Sequence, residues 1–132
     1  MARRGEGIVI RDAHFPGRAP VEAYGDGGFR FAGMSHRGSI LCIPSGIYGF
    51  DATVPADLTV ATLEKIFDEA AGIEVLLLGM GRDPARMAPD LKSAMREAGI
   101  MSDPMSTGAA VRTYNVLLAE DRAVAAVLLA VD

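Results

Sequence analysis

A chain of 132 residues is one domain's worth of sequence, long enough to bury about two-thirds of its unfolded surface without disulfide or metal staples. Half of the residues are hydrophobic and the net charge is −4. This composition argues against disorder, and the absence of a basic stripe interleaved with aromatics argues against a nucleic-acid partner.

Residues 1–7, with Arg3 and Arg4 among glycines, read as a flexible arm, and no signal-peptide core follows them. Ile8 to Ile10 opens a sheet. Val21 to Tyr24 and Phe29 to Phe31 flank Gly25-Asp26-Gly27-Gly28, a hairpin signal because such turns need residues that tolerate positive φ. Ser39 to Ile43 is a third strand, ended by Pro44, which lacks a ladder donor, and Ile47 to Phe50 a fourth. Past Pro55 the pattern changes to alternating helix and strand. Leu63, Ile66, Phe67 and Ala70 share helical spacing, with Asp57 or Thr59 as cap and Gly72 as stop. Glu74 to Leu78 is a buried strand. Pro89 opens a second helix, whose Leu91, Ala94, Met95 and Ala98 share a face before Gly99. Ile100 to Pro104 is extended, Ser106 or Thr107 caps a third helix reaching about Leu118, and Ala123 to Val131 is a strand buried on both faces. That last apolar run is too short to cross a bilayer as a helix, and the lone Cys42 has no disulfide partner. The chain therefore reads as a soluble, cytoplasmic single domain, residues 1–132. Its residues 8–55 form a β-rich half with a hairpin layer, and 56–132 an α/β half with parallel strands and three helices.

The stretch Leu77-Leu78-Gly79-Met80-Gly81-Arg82 carries the most suggestive motif, a strand running into Gly-x-Gly. A dinucleotide fingerprint needs a third glycine where Pro84 stands, a P-loop needs Gly-Lys-Ser/Thr, and the next helix starts only at Pro89. The motif reads as a sharp strand exit. The loop from Gly79 to Ala88 nevertheless leaves the carboxyl end of a parallel strand, where open α/β sheets bind ligands, and Met105-Ser106-Thr107-Gly108 leaves the next one. Gly79, Met80, Gly81, Arg82, Ser106, Thr107 and Gly108 are thus candidates for one anion-receptive cleft. Ordinary capping and solvated arginines account for the same residues. On the third helix, at about 100° per residue, Ala110, Tyr114, Leu117 and Leu118 face inward with Thr107 beside them. Asn115 lies to one side, and Arg112 points nearly opposite, a candidate partner surface. Cys42 alternates within a strand and reads as a buried, inert thiol. His14 and His36 lack partners at metal-ligand spacing, no Gly-x-Ser-x-Gly elbow exists, and the aspartates sit at turns. No metal, cofactor or catalytic constellation is indicated.

The order of elements, together with several motifs, resembles the small domain family that includes the mitochondrial NADH dehydrogenase (complex I) assembly factor 3 and an adipogenesis-associated protein. The matching stretches are Gly38-Ser39-Ile40-Leu41 through Pro44, Leu77 to Gly81, Gly99-Ile100, Ser106 to Leu117 and Glu120-Asp121-Arg122. They span about Ile8 to Val131. Met80 stands where the family commonly has Thr, and Phe50 where it commonly has Trp. The resemblance implies a three-layer fold, no established enzymatic activity, and a role in assembling respiratory complexes through protein contacts. Two functions follow as expectations: a non-catalytic assembly-factor-like domain, or a small-molecule (anion) binding protein or enzyme using the cleft beside Gly81 and Thr107.

Overall fold

The computed structural model describes residues 10–132. The N-terminal arm and the Ile8-Val9 start of the expected first strand lie outside the described residues. From Ile10 the chain forms β1 (Ile10–Pro16), β2 (Val21–Gly25), β3 (Gly28–Phe31), β4 (Met34–Arg37), β5 (Ser39–Ile43) and β6 (Gly46–Phe50). It continues through α1 (Glu64–Asp68), β7 (Val75–Gly79), α2 (Pro89–Glu97), β8 (Met101–Met105), α3 (Thr107–Ala119) and β9 (Val124–Leu128).

The two halves of the chain share one sheet. Six strands pair in the order β1-β6-β5-β9-β7-β8. β7 is parallel to both β8 and β9, whereas β9 meets β5 antiparallel, with Ile40 opposite Leu128 and Cys42 opposite Ala126. β2, β3 and β4 form a separate antiparallel sheet. The mixed α/β fold with three helices is therefore as the sequence implies.

The uninterrupted apolar runs are explained by what covers each face. Leu41, Ile43, Leu76, Leu78, Ala125 and Val127 pack toward α1 and α2, against Leu63, Ile66, Leu91 and Met95. Their strand neighbours Ile40, Cys42, Leu77, Val124, Ala126 and Leu128 pack the opposite way, against α3 and the small sheet through Phe29, Phe31, Ala110 and Tyr114. Three layers result: helices, sheet, and a layer made of α3 plus a hairpin sheet.

Three local expectations need correction. The strand β4 was not anticipated, because Ala32-Gly33 turns the chain there with φ of 50° and 74°, and alanine rarely occupies that region. The first helix is only five residues, and neither Asp57 nor Thr59 caps it. Asp57 instead accepts the Thr53 and Val54 amides, closing a 3-10 turn, while Thr59 and Thr62 bond each other's amides and hydroxyls. The last strand ends at Leu128: the Leu129 amide still donates to Gly79 O of β7, but the Ala130 amide turns to the Ser39 hydroxyl.

Candidate functional site

β7 and β8 end side by side, and α3 begins immediately beyond them. Gly79 is required there by contact: a Cβ would lie 2.9 Å from Thr107 Cα and 3.0 Å from Leu128 Cδ2. Gly81, two residues on, takes φ of +109°, so the sharp exit read from the sequence is what the glycines provide. Thr107 knits the junction. Its amide donates to Gly81 O at 2.8 Å. Its hydroxyl accepts the Gly81 amide at 3.0 Å and donates to Leu129 O at 2.7 Å. Thr107 is fully buried, so its polar atoms serve this junction. Met80, 4% exposed, points into the core beneath α1 and α2. It reaches only a second, broader hollow of about 450 Å³ beside Val54, Pro55 and Pro84.

Of the seven cleft candidates, Gly81, Arg82, Ser106 and Gly108 do border one cavity, of about 250 Å³, together with Arg112. Gly79 and Thr107 are its supporting wall. The Ser106 side chain is occupied as the α3 cap, accepting the Ala109 amide at 3.3 Å. Arg82 comes from the loop after β7 and Arg112 from the solvent side of α3, where the helical angle places it. Both are exposed, and neither forms an ion pair among the described residues.

Three members of the cavity, Tyr24, Val131 and Asp132, were not read from the sequence. Tyr24, 42% exposed, reaches across from β2, and a Cβ on Gly108 would collide with its hydroxyl, so glycine is what admits the ring. Arg112 Nη1 lies 3.6 Å from that same point. Asp132 adds a carboxylate to the rim. A large exposed aromatic beside a Gly-rich hairpin was the available signal, but nothing in the pattern says that β2 approaches α3. Asn115 makes that approach: its Nδ2 donates to Val21 O at 2.8 Å and its Oδ1 accepts the Val21 amide at 2.9 Å. An amide side chain thus takes the place of a neighbouring strand. Among the described residues, no group of His, Cys, Asp or Glu could hold a metal, and no helix is long and apolar enough to cross a membrane.

With this geometry in place, comparison with known proteins identifies the chain's relatives. The family model described as "Protein of unknown function (DUF498/DUF598)" matches residues 21–129. The chain belongs to this family. One family relative, an uncharacterized protein of Rhodobacter capsulatus, is 40% identical over 92% of this chain and 93% of its own length. The NADH dehydrogenase [ubiquinone] 1 alpha subcomplex assembly factor 3 of Mus musculus is 25% identical over 92% of this chain, which spans 66% of that longer protein. Among solved structures, a Bartonella henselae protein described as an outer membrane protein superposes with a TM-score of 0.87 and 61% identity, over 90% of this chain and all of that one. A Bordetella pertussis protein described as a Mth938-like domain gives a TM-score of 0.74 at 29% identity, over 84% of this chain and 85% of its own. The family resemblance carried by the helix and glycine motifs is borne out, and the fold is similar to that of a protein described as a Mth938-like domain.

Proposed function

We propose that this chain is a protein-interaction domain that assists assembly of respiratory complex I, acting from the cytoplasm. The observation that carries the reading is the name shared by several of its more distant relatives. Mouse and Xenopus tropicalis proteins that align with 92% and 83% of this chain are complex I assembly factors. The match covers 66% and 60% of those proteins, so it is the domain, and not the remainder of them, that this chain represents. The outer side of α3 suits a contact surface. Arg112 and Val116, one turn apart, are both exposed, Val116 to 57%, on a helix whose other side is held by the core.

The test is genetic and biochemical together. Deleting the gene in its native host should lower the amount of assembled complex I on native gels and the NADH oxidation of membranes, and the wild-type gene should restore both. A replacement carrying Arg112→Glu and Val116→Asp should fold, because both positions are solvent-facing, yet restore assembly poorly. Normal complex I in the deletion strain would end this reading. Fractionation of the tagged protein tests the location, and recovery in the outer-membrane fraction would overturn the cytoplasmic assignment.

A further inference from the structure

We propose that the cavity between Arg82 and Arg112 binds a phosphate group, an activity separate from the assembly role. Three unrelated elements line it with residues that carry hydrogen-bond donors: the loop after β7 supplies Arg82, α3 supplies Arg112, and β2 supplies Tyr24. None of these side-chain groups has a hydrogen bond or ion pair with another described residue, although the surrounding junction is bonded throughout. The contrast is with Arg30 and Arg122, whose guanidinium groups rest on Glu22 and Glu74. The side-chain-free surface of Gly108 brings the tyrosine hydroxyl and Arg112 Nη1 over one spot. Any larger residue there would push the tyrosine hydroxyl away from the cavity.

Size and charge select the ligand. At about 250 Å³ the cavity is below the usual range for drug-sized ligands but ample for a phosphate and a small substituent. Two arginines on different elements suit the several acceptor oxygens of a dianion better than the two of a carboxylate. Asp132 lies on the same rim, and its charge opposes an anion. It therefore provides a control of opposite sign.

The measurement is a titration of the folded protein with inorganic phosphate, and separately with glycerol 3-phosphate, following backbone amide shifts at Gly81, Gly108 and Arg112 by NMR at low salt. Saturable binding is expected, weakened about tenfold or more by Arg82→Gln and by Arg112→Gln, strengthened by Asp132→Asn, and reduced as salt is added. Both arginines are exposed, so the variants should melt as the wild type does. Stronger binding of glycerol 3-phosphate would mean that the phosphate belongs to a metabolite, and equal binding that the free ion suffices; either supports the site. Shifts that never saturate, or saturable binding unchanged in both arginine variants, would overturn it. Because the readout is direct binding, its failure leaves the complex I reading untouched, and normal complex I in the deletion strain leaves this one untouched.

Discussion

Cys42 and Tyr114 meet where β5 lies under α3, and burial makes both harder to ionise. Burial pushes the Cys42 thiol up to about 12, a hydrogen bond with the Tyr114 hydroxyl countering it only in part. Burial, and then the nearby thiol, likewise push Tyr114 above its ordinary range. The unfolded chain ionises its thiol near 9, whereas the folded chain keeps it protonated up to about 12. Between those values the unfolded state binds fewer protons, so stability falls as pH rises. A pH series of urea melts should show this alkaline decline, and Cys42→Ala should flatten its lower part. The native thiol should also react slowly with a maleimide and quickly in denaturant. Fast labelling of the folded protein would contradict its burial. The tyrosine ring carries the larger share of packing. Tyr114→Ala should cost about 3–5 kcal/mol. Tyr114→Phe should cost only ~0.5–1.5 kcal/mol, since its hydroxyl bond to Ala19 O is long, at 3.4 Å. Wild-type melting of the alanine variant would mean that the helix is rotated.

Among the elements, legibility followed whether a signal was local. β7 and β9 could be read because both of their faces are covered, leaving runs such as Leu76-Leu77-Leu78 with no polar interruption. α2 could be read because Pro89 and Gly99 bracket it, the glycine taking φ of +81°. β4 could not, since its turn runs through an alanine. At the cleft, adjacency of Arg82 and Ser106 followed from the rule that neighbouring parallel strands end together, but Tyr24 arrives from a separate sheet through the Asn115 clasp. Such long-range contacts have no periodic trace. The junction itself was legible as two glycines, but not as the threonine that locks them. Thr107→Val keeps the volume and removes the hydroxyl, stranding the Gly81 amide and the Leu129 carbonyl. It should cost about 1–3 kcal/mol, with Thr107→Ser recovering part of that. Gly79→Ala should cost a similar ~1–3 kcal/mol by forcing α3 away from β7. Equal melting temperatures for Thr107→Val and wild type would show that the hydroxyl bonds are dispensable.

At the scale of the whole molecule, the division near Pro55 separates two styles of secondary structure without separating two folding units. β5 and β6 come from the first half, yet β5 is the strand that covers β9, with Leu41 opposite Val127 at the sheet's centre. Without residues before 56, β9 becomes an open edge rich in apolar side chains, the kind of edge that recruits other chains. Ala126 and Leu128 lose Ile40 and Cys42 from their own face, and Tyr114 loses its thiol partner. A fragment of residues 56–132 keeps every parallel pair and all three helices, but it leaves β9 open on the side that β5 covered. Local propensity and parallel pairing should therefore not suffice. The fragment is expected to give collapsed amide dispersion or aggregation, and the intact chain to unfold in one transition seen alike by far-ultraviolet dichroism and by tyrosine fluorescence. A well-dispersed, monomeric spectrum from the fragment would show that the parallel half folds alone and that the β5–β9 junction is an addition to it rather than its condition.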